Sequence, residues 1–368
     1  MNWYSTFLRP LLFRLDPETA HNAAVAACRF AGRLPIVPRL LEKSLTIEAP
    51  ELKTEVAGLQ FSNPIGLAAG WDKSGRALNL MDRLGFGTVE IGSVSAFPSA
   101  GNAKPRLFRL PMDRAIQVHY GLPNDGVKTV AERVAAARLR IPLGVNLVAT
   151  NHGPQASASS EDEILDDYAT SVACIHTHVD YLTLNLSCPN AEGGRDLFAE
   201  SGSLRRLLER LRPIEPNCPV FLKVAPVADS AVQDRWRREV DEFDFVKGFV
   251  FNLPPGQPDS LKLKTPPNVW QCRPGAIAGR PIADWIDLCI ASLYPRLDHS
   301  RHVIIGSGGV FTAEDAYRKI RLGASLVQFY TAMIYEGPGV VAKINRGLVE
   351  LLNRDGFARI QDAVGVGE

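Results

Sequence analysis

Four polar side chains stand inside otherwise apolar runs of the sequence: Asn146, Asn185, Lys223 and Asn252. A buried polar group without a partner costs about 1–3 kcal/mol, so each of these residues needs a hydrogen-bonding partner. One such residue could be satisfied within a core, but four at the same end of successive strands indicate a polar ligand, such as a flavin ring. Lys223 is the most informative, because a buried cation needs a partner and the anionic edge of a flavin would provide one.

Cys188 is the candidate for proton transfer or nucleophilic chemistry. It stands between Ser187 and Pro189, ahead of a stretch that contains Gly193 and Gly194. A single free cysteine is more often an inert, buried residue. A thiol beside a glycine-containing loop also suits a general base or a gated nucleophile. These residues alone leave both interpretations open.

A phosphate site is indicated by residues at the ends of the last two predicted strands. Gly308 and Gly309 allow close approach to the backbone, and Thr331 adds a hydroxyl group after Tyr330. In barrels of eight strand–helix units, phosphate sites usually lie after strands seven and eight. The glycine pair alone would indicate only a tight turn, but its combination with Tyr330 and Thr331 favours phosphate binding.

Eight short apolar strands would position these residues. They are continuous rather than alternating runs, as parallel strands buried on both faces require. We predict them at residues 64–69, 88–94, 143–148, 181–187, 220–225, 248–252, 302–307 and 325–331. Amphipathic helices are predicted at residues 203–211, 282–293 and 312–322. The pattern favours an α/β fold, the (β/α)8 or TIM barrel, over a doubly wound sheet, because no G-x-G-x-x-G motif follows the first strand.

The amino-terminal residues are predicted to form a separate helical unit, residues 1–42, ahead of the barrel at residues 43–368. Asp16 and Pro17 are typical of a helix start. The helix should continue through residues 19–34, and Pro35 and Pro38 should end it. Residues 95–126 and 188–201 are predicted to be long loops.

The first helix of this unit carries a wide apolar face formed by Phe7, Leu8, Leu11, Leu12 and Leu15. Such a face is typical of a helix that lies on a membrane surface, where Arg9 and Arg14 would meet lipid headgroups. The alternative is that the face only caps the barrel. The apolar stretch is too short to span a bilayer, and it lacks the features of a signal peptide.

Composition excludes several classes of protein. The 368 residues are 46% hydrophobic and 22% charged, with a formal net charge of +1, which argues against a nucleic-acid-binding protein. None of the six cysteines forms a C-x-x-C pair, so we expect reduced thiols in a cytoplasmic protein. Clustered metal ligands are absent from the sequence, and no metal site is predicted.

Several motifs together resemble the dihydroorotate dehydrogenase family, and they extend over nearly the whole chain. The run at residues 7–21 is similar to the amino-terminal extension of the membrane-associated, quinone-using branch. Residues 185–190, Asn-Leu-Ser-Cys-Pro-Asn, resemble the active-site motif. Further segments that match the family lie at residues 63–73, 90–94, 104–110, 278–281 and 323–328.

The resemblance implies an FMN-dependent oxidoreductase of pyrimidine biosynthesis. It would oxidise dihydroorotate to orotate, pass electrons to a quinone, and associate peripherally with the membrane through its amino-terminal helices. Cys188 would be the catalytic base, with Lys73 beside it. Substrate would be held by Lys73, Asn185, Asn190 and Asn252. The positions that would bind FMN are Ala68, Ala69, Gly70, Ser93, Asn146, Asn185, Lys223, Gly279, Gly308, Gly309, Tyr330 and Thr331.

Some positions depart from the family pattern. The quinone-using branch has serine where this chain has Cys188, which is similar to the soluble branch. Other departures replace polar residues expected near substrate or flavin with Val118, Ala191, Phe251 and Leu253.

The loss of an amide that pairs with a polar ring reduces discrimination about tenfold or more. Gln117 or His119 could replace the amide lost at position 118. The alternative function is therefore that of a divergent relative, which would oxidise or reduce a carbon–carbon bond in another heterocycle or an unsaturated amide.

Overall fold

A computed structural model describes residues 3–153, 155–157, 159–187, 197–198, 202–258 and 261–367. Its centre is a closed barrel of eight parallel strands. In barrel order these are β3 (Ile65–Leu67), β4 (Thr88–Val94), β7 (Leu143–Leu147), β8 (Tyr181–Asn185), β9 (Val220–Val224), β10 (Val246–Phe251), β12 (Val303–Gly306) and β13 (Ala324–Phe329). Each of the eight predicted strands overlaps one of these, so the predicted barrel is confirmed.

Helices cover the outside of the barrel, and their apolar faces pack on the strands. The three predicted helices are confirmed within one residue at each end, as α7 (Ser203–Leu211), α10 (Ala283–Leu293) and α11 (Ala313–Arg321). The α-helices after the amino-terminal unit are α4 (Leu78–Met81), α5 (Val127–Ala136), α6 (Glu161–Ile175), α7 (Ser203–Leu211), α8 (Ser230–Val240), α9 (Pro267–Trp270), α10 (Ala283–Leu293), α11 (Ala313–Arg321), α12 (Thr331–Glu336) and α13 (Val340–Asp355). Short 3₁₀ helices lie at Pro50–Leu52, Pro111–Asp113, Arg212–Ile214, Arg280–Ile282, Tyr294–Arg296 and Ile360–Ala363.

A β-hairpin closes the amino-terminal end of the barrel. Its strands are β1 (Thr54–Val56) and β2 (Leu59–Phe61), and their turn has positive φ at Ala57 and Gly58, as a tight two-residue hairpin turn requires. Val56 and Phe61 pack against inward-facing barrel residues. The barrel therefore opens to ligands at its other end, where the carboxyl-terminal strand ends lie.

A three-stranded antiparallel sheet stands at that open end. It consists of β5 (Leu107–Leu110), β6 (Ala115–Val118) and β11 (Ala276–Gly279), with β6 in the middle. The prediction of a single long loop at residues 95–126 was therefore wrong. These strands are only four residues long, and β6 pairs with a strand from a distant part of the chain, so the local pattern is weak.

The amino-terminal residues form what we call the helical cover, residues 3–45. It contains a π-helical turn at Tyr4–Leu8, α1 (Arg9–Leu12), α2 (Pro17–Ala31) and α3 (Val37–Leu45). The predicted start of α2 is correct, because the Asp16 carboxylate accepts a hydrogen bond from the Thr19 backbone at 2.9 Å. The predicted boundary at residue 42 falls inside α3. Pro38 begins this helix rather than ending the previous one, since proline is tolerated in the first turn.

The apolar face predicted for the first helix points away from the barrel. Phe7 is 66% exposed and Leu11 58%. Arg9, which the sequence suggested for lipid headgroups, donates instead to the Tyr335 backbone carbonyl at 2.9 Å, whereas Arg14 is exposed. Among the residues described, no helix combines the length and the apolar character needed to cross a bilayer.

Candidate active site

A cavity lies at the carboxyl-terminal end of the barrel, beneath the three-stranded sheet. Its empty space, including the part that opens to solvent, is about 1110 Å³. All the predicted cofactor residues except Asn146 line it, and so do two predicted substrate residues besides Asn185. This lining set is Ala68, Ala69, Gly70, Lys73, Ser93, Asn185, Lys223, Asn252, Gly279, Gly308, Gly309, Tyr330 and Thr331.

The base of the cavity is a chain of hydrogen-bonded side chains, which we call the barrel floor: Ser93, Asn146, Asn185 and Asn252, with Glu90 beneath them. Asn252 Nδ2 donates to Asn185 Oδ1 at 2.8 Å, and Asn185 Nδ2 donates to Ser93 Oγ at 3.1 Å. Ser93 Oγ donates to Asn146 Oδ1 at 2.5 Å. Asn146 thus lies one layer below the cavity and contributes through Ser93.

The floor ends on Glu90, a residue that our sequence interpretation gave no role. Its carboxylate is fully buried and accepts from Asn146 Nδ2, Thr183 Oγ1 and Gln328 Nε2, each at 3.0 Å. Burial and the negative charge of Glu90 both raise the pKa of the nearby Tyr181 hydroxyl well above its usual value. The signal was present in the sequence, since Glu90 interrupts an apolar strand as Asn146 does.

Lys73 stands on the opposite side of the cavity, between the barrel and α2. Its Nζ is 3.1 Å from His21 Nε2 and 4.1 Å from the centre of the Tyr120 ring. Burial lowers the pKa of Lys73 to about 8, although the carboxylates of Glu18 and Asp72 oppose the shift. Lys73 therefore offers the cavity a positive charge that can be lost near neutral pH.

The contact with His21 shows that the helical cover reaches the site, which the sequence did not indicate. Burial lowers the pKa of His21 well below its usual value, and Lys73 lowers it further. The neutral ring can accept a hydrogen bond from the Lys73 ammonium group. Its centre lies 6.1 Å from that of Trp71 and 6.2 Å from that of Tyr330.

A second contact of the cover is an ion pair between Glu18 and Arg106. The guanidinium donates to both Glu18 carboxylate oxygens, at 2.8 and 3.2 Å. Burial raises the pKa of Glu18, but the hydrogen bond and charge of Arg106 outweigh it and hold that pKa below its usual value. Together with the contact at His21, this pair fixes α2 over the entrance beside Lys73.

Several buried polar atoms of the cavity wall stand out because the described residues offer them no hydrogen-bonding partner. Within the described part of the chain, Tyr120 Oη, Gln328 Oε1 and Tyr330 Oη make no hydrogen bond. A buried polar group left unpaired is costly. These atoms therefore indicate that the cavity is built for a ligand with several polar groups.

The departures from the family pattern also lie at this cavity. Val118, Phe251 and Leu253 line it, so its wall is more apolar than the resemblance implies. The suggested replacements face elsewhere. Gln117 donates to two backbone carbonyls, at 2.8 and 3.1 Å, and the ring of His119 is 3.0 Å from Asn102 Nδ2.

Neither Gln117 nor His119 lines the cavity, so the prediction that one of them replaces the lost amide is not supported. Their backbone pairing in and beside β6 turns these side chains away from the ligand space, and Tyr120 is the neighbour that reaches it. Cys188, Asn190 and Ala191 lie outside the residues that the structure describes. Their predicted roles rest on the sequence motif.

Comparison with known proteins agrees with this geometry. Residues 51–352 match the family model described as dihydroorotate dehydrogenase. A dihydroorotate dehydrogenase (quinone) from Sphingopyxis alaskensis is 39% identical over 365 residues, covering 98% of this chain and 96% of that protein. One from Natronomonas pharaonis is 38% identical over 361 residues, covering 98% of each. The crystal structure of ligand-free dihydroorotate dehydrogenase from Eimeria tenella is 31% identical with a TM-score of 0.81, covering 95% of this chain and 99% of that one.

These findings confirm the resemblance seen in the motifs. The family model spans most of the barrel, the relatives align over nearly their full length, and the solved structure has the same fold. The predicted FMN-contacting and substrate-contacting residues that the structure describes are all at one end of the barrel. The chain belongs to the dihydroorotate dehydrogenase family of oxidoreductases.

Proposed function

We propose that this protein is an FMN-dependent enzyme that oxidises dihydroorotate to orotate and passes the electrons to a quinone. The observation that carries the proposal is the convergence of distant family motifs on one cavity. Lys73, Asn185 and Asn252 stand together with Lys223 around a single ligand space. Relatives named dihydroorotate dehydrogenase (quinone) support both the substrate and the acceptor.

The cavity residues fit FMN. Gln328 and Tyr330 offer buried polar atoms that have no hydrogen-bonding partner among the described residues, and Lys223 brings a cation to the barrel wall. Gly308 and Gly309 line the cavity, and their backbone N–H groups would meet the phosphate of FMN there. Bound FMN would supply the two-electron acceptor that oxidation of a carbon–carbon single bond requires.

The substrate side follows from charge and hydrogen bonding. Lys73 would hold the carboxylate of dihydroorotate, and Asn185, Asn190 and Asn252 would bind its ring. We assign Cys188 as the base that removes a ring proton while hydride leaves the neighbouring carbon. A thiol has an unperturbed pKa of about 8.5, so it can act as a thiolate without a dedicated partner base.

We place the quinone between the helical cover and the barrel. The His21 ring, on α2, lies beside Tyr330, which lines the cavity. On the outer side of the cover, Phe7 and Leu11 expose apolar surface, which suits a membrane that supplies an apolar quinone. The protein would then be cytoplasmic and would bind the membrane surface peripherally.

One observation favours a second candidate function. Val118, Phe251 and Leu253 make part of the cavity wall apolar, and such a wall cannot hydrogen-bond a polar ring. A divergent enzyme of the same chemistry would take a heterocycle or unsaturated amide with fewer polar substituents than dihydroorotate.

Anaerobic flavin bleaching tests both candidates. The purified protein should show flavin absorbance, dihydroorotate should bleach it, and a quinone should restore it. Bleaching by another member of a panel of dihydropyrimidines, with dihydroorotate inactive, would favour the divergent function. A folded protein that neither contains flavin nor binds added FMN would contradict the proposal.

Replacement of Gly309, which the phosphate prediction suggests as a further test, is less useful. A Cβ atom at this position would lie 2.4 Å from Ala283 Cβ. The variant would therefore disturb the packing of α10 together with any phosphate contact, and the two effects could not be separated.

A further inference from the structure

We infer that Glu90 is a positioning residue that sets the donor and acceptor orientation of the side-chain amides in the barrel floor. Through Asn146 and Ser93 it would orient Asn185 and Asn252, the amides that face the substrate. Glu90 itself lies beneath the cavity and does not line it. The inference deepens the proposed function and rests on it for the identity of the ligands.

The side chains around Glu90 donate hydrogen bonds to its carboxylate. Asn146, Thr183 and Gln328 each donate to it at 3.0 Å, and the Tyr181 hydroxyl also hydrogen-bonds with it. An ionised carboxylate only accepts hydrogen bonds. The two amides therefore turn their NH2 groups toward Glu90, and this leaves Gln328 Oε1 as an unpartnered acceptor among the described residues.

The orientation then passes from one side chain to the next. Because the NH2 group of Asn146 donates to Glu90, its Oδ1 faces Ser93 and accepts a hydrogen bond from the Ser93 hydroxyl group. Ser93 Oγ is then free to accept from Asn185 Nδ2. This turns Asn185 Oδ1 toward Asn252 Nδ2. Every donor in the chain points toward Glu90.

The far end of the chain agrees with this direction. Asn252 Oδ1 accepts from the backbone N–H of Leu253 at 2.9 Å, and a backbone N–H can only donate. The floor thus runs from an obligatory donor to an obligatory acceptor. An amide has nearly the same shape when flipped, so packing cannot choose its orientation, whereas these two ends can.

Exchanges that keep side-chain size test the inference. Glu90→Gln leaves one acceptor oxygen where three donors converge, so one neighbouring amide must flip or lose its partner. Asn146→Asp places a second carboxylate against Glu90. In the double variant E90Q/N146D the new amide donates to Asp at position 146, while its oxygen still accepts from Thr183 and Gln328. The double exchange therefore reverses only the bond between positions 90 and 146, and the Asp at 146 still accepts from Ser93, so the rest of the floor keeps its original direction.

The readout is the FMN dissociation constant of the refolded apoprotein, measured by flavin fluorescence. We expect E90Q to weaken binding about 10-fold and N146D about 100-fold, on the scale of buried polar groups left unpaired. The double variant should bind within about 3-fold of wild type, a coupling that only interacting sites show. A double variant that binds no better than N146D, or an E90Q protein that binds like wild type, overturns the inference.

Thr183→Val is the matched control, because it removes a donor from the same carboxylate and leaves Asn146 in place. We expect FMN binding within about 2-fold of wild type. If T183V weakens binding as much as E90Q does, Glu90 serves only general packing and the inference is wrong.

A flavin-free measurement separates this inference from the proposed function. Thermal unfolding of the apoproteins should show E90Q/N146D more stable than either single variant, because the rescue concerns bonds within the chain. If wild type binds no FMN, the proposed function fails while this cycle still decides the role of Glu90. If wild type binds FMN and the cycle shows no rescue, only the inference fails.

Discussion

The barrel floor lies at the base of the cavity and the helical cover contacts Lys73 at its edge, and the two regions are built differently. In the floor, polar side chains such as Asn146 and Asn252 are buried and bond to one another. In the cover, large apolar side chains such as Phe7 and Leu11 are exposed. The floor thus buries polar side chains, and the cover exposes apolar ones.

The difference separates two kinds of constraint. Each floor residue is needed by its neighbour, because an unpaired buried group costs free energy. The exposed apolar side chains of the cover do not depend on one another in this way, and other residues of the cover attach it to the barrel, including His21 with Lys73 and Glu18 with Arg106. Substitutions in the floor should therefore alter chemistry, whereas those on the cover should alter access to the acceptor.

The largest effect is expected from replacing Cys188, which should slow reduction of the flavin by substrate and leave its reoxidation by quinone unchanged. Cys188→Ala should slow flavin reduction by dihydroorotate about 100-fold or more, the usual scale for loss of a general base. Reoxidation by quinone should be unchanged, because we assign it to the cover side. Stopped-flow measurement of each half-reaction checks both statements.

Cys188→Ser is the matched comparison for that variant. It should keep part of the rate, with its pH dependence moved upward, because a hydroxyl group is a much weaker acid than a thiol. A wild-type rate of flavin reduction in Cys188→Ala would show that the base is another residue.

A tenfold effect is expected on the cover. Replacing both Phe7 and Leu11 with aspartate should reduce partition onto anionic lipid vesicles about 10-fold or more, since each side chain would lose its apolar contact. Reduction of a long-chain quinone in the vesicles should fall with it. Reduction of a soluble dye should not change, because both side chains are exposed in the fold.

Leu288→Asp is the control for this pair. Leu288 is 65% exposed on α10, on the outside of the barrel and away from the cover. It should leave vesicle binding as in wild type. Equal losses of dye and quinone reduction in the Phe7 and Leu11 variant would favour the alternative that this face only caps the barrel. Substitution is preferable to deletion of residues 1–42, which would also remove His21 from Lys73.

The smallest expected effect is a pH dependence of substrate turnover that comes from Lys73, which lines the cavity and contacts His21 of the cover. With a pKa of about 8, Lys73 loses its charge as pH rises through that value. The kcat/KM of wild type for dihydroorotate, divided by that of Lys73→Arg, should therefore fall about threefold between roughly pH 7.5 and 8.5, because kcat/KM reports groups of the free enzyme and the ionisation of Cys188 is common to both proteins. Lys73→Arg, which stays charged, should lack this contribution whatever its absolute rate.

The same shift has a consequence for stability. The pKa of Lys73 is lower in the folded protein than its usual value of 10.5, so the unfolded chain binds the proton more strongly. The stability of the free enzyme should then rise as pH increases from about 8 to 10.5. A melting temperature of wild type that falls relative to that of Lys73→Met over this range would contradict the assignment.

The sequence by itself determined the barrel and most of its floor. Apolar runs mark strands buried on both faces, and a polar residue within such a run must find a partner at the same end of the barrel. Asn146, Asn185 and Asn252 were predicted by this rule, and Glu90 obeys it too. The rule works because a short run of neighbouring residues is enough to predict where a strand lies and that it is buried.

Only the tertiary structure decided how the entrance is built. His21 meets Lys73 across 52 positions of the chain, and Glu18 meets Arg106 across 88. The sequence also did not predict that Tyr120 is the side chain that reaches the cavity, and that Gln117 and His119 do not. These outcomes depend on how separately formed elements pack against one another, and no local pattern of residues records that packing.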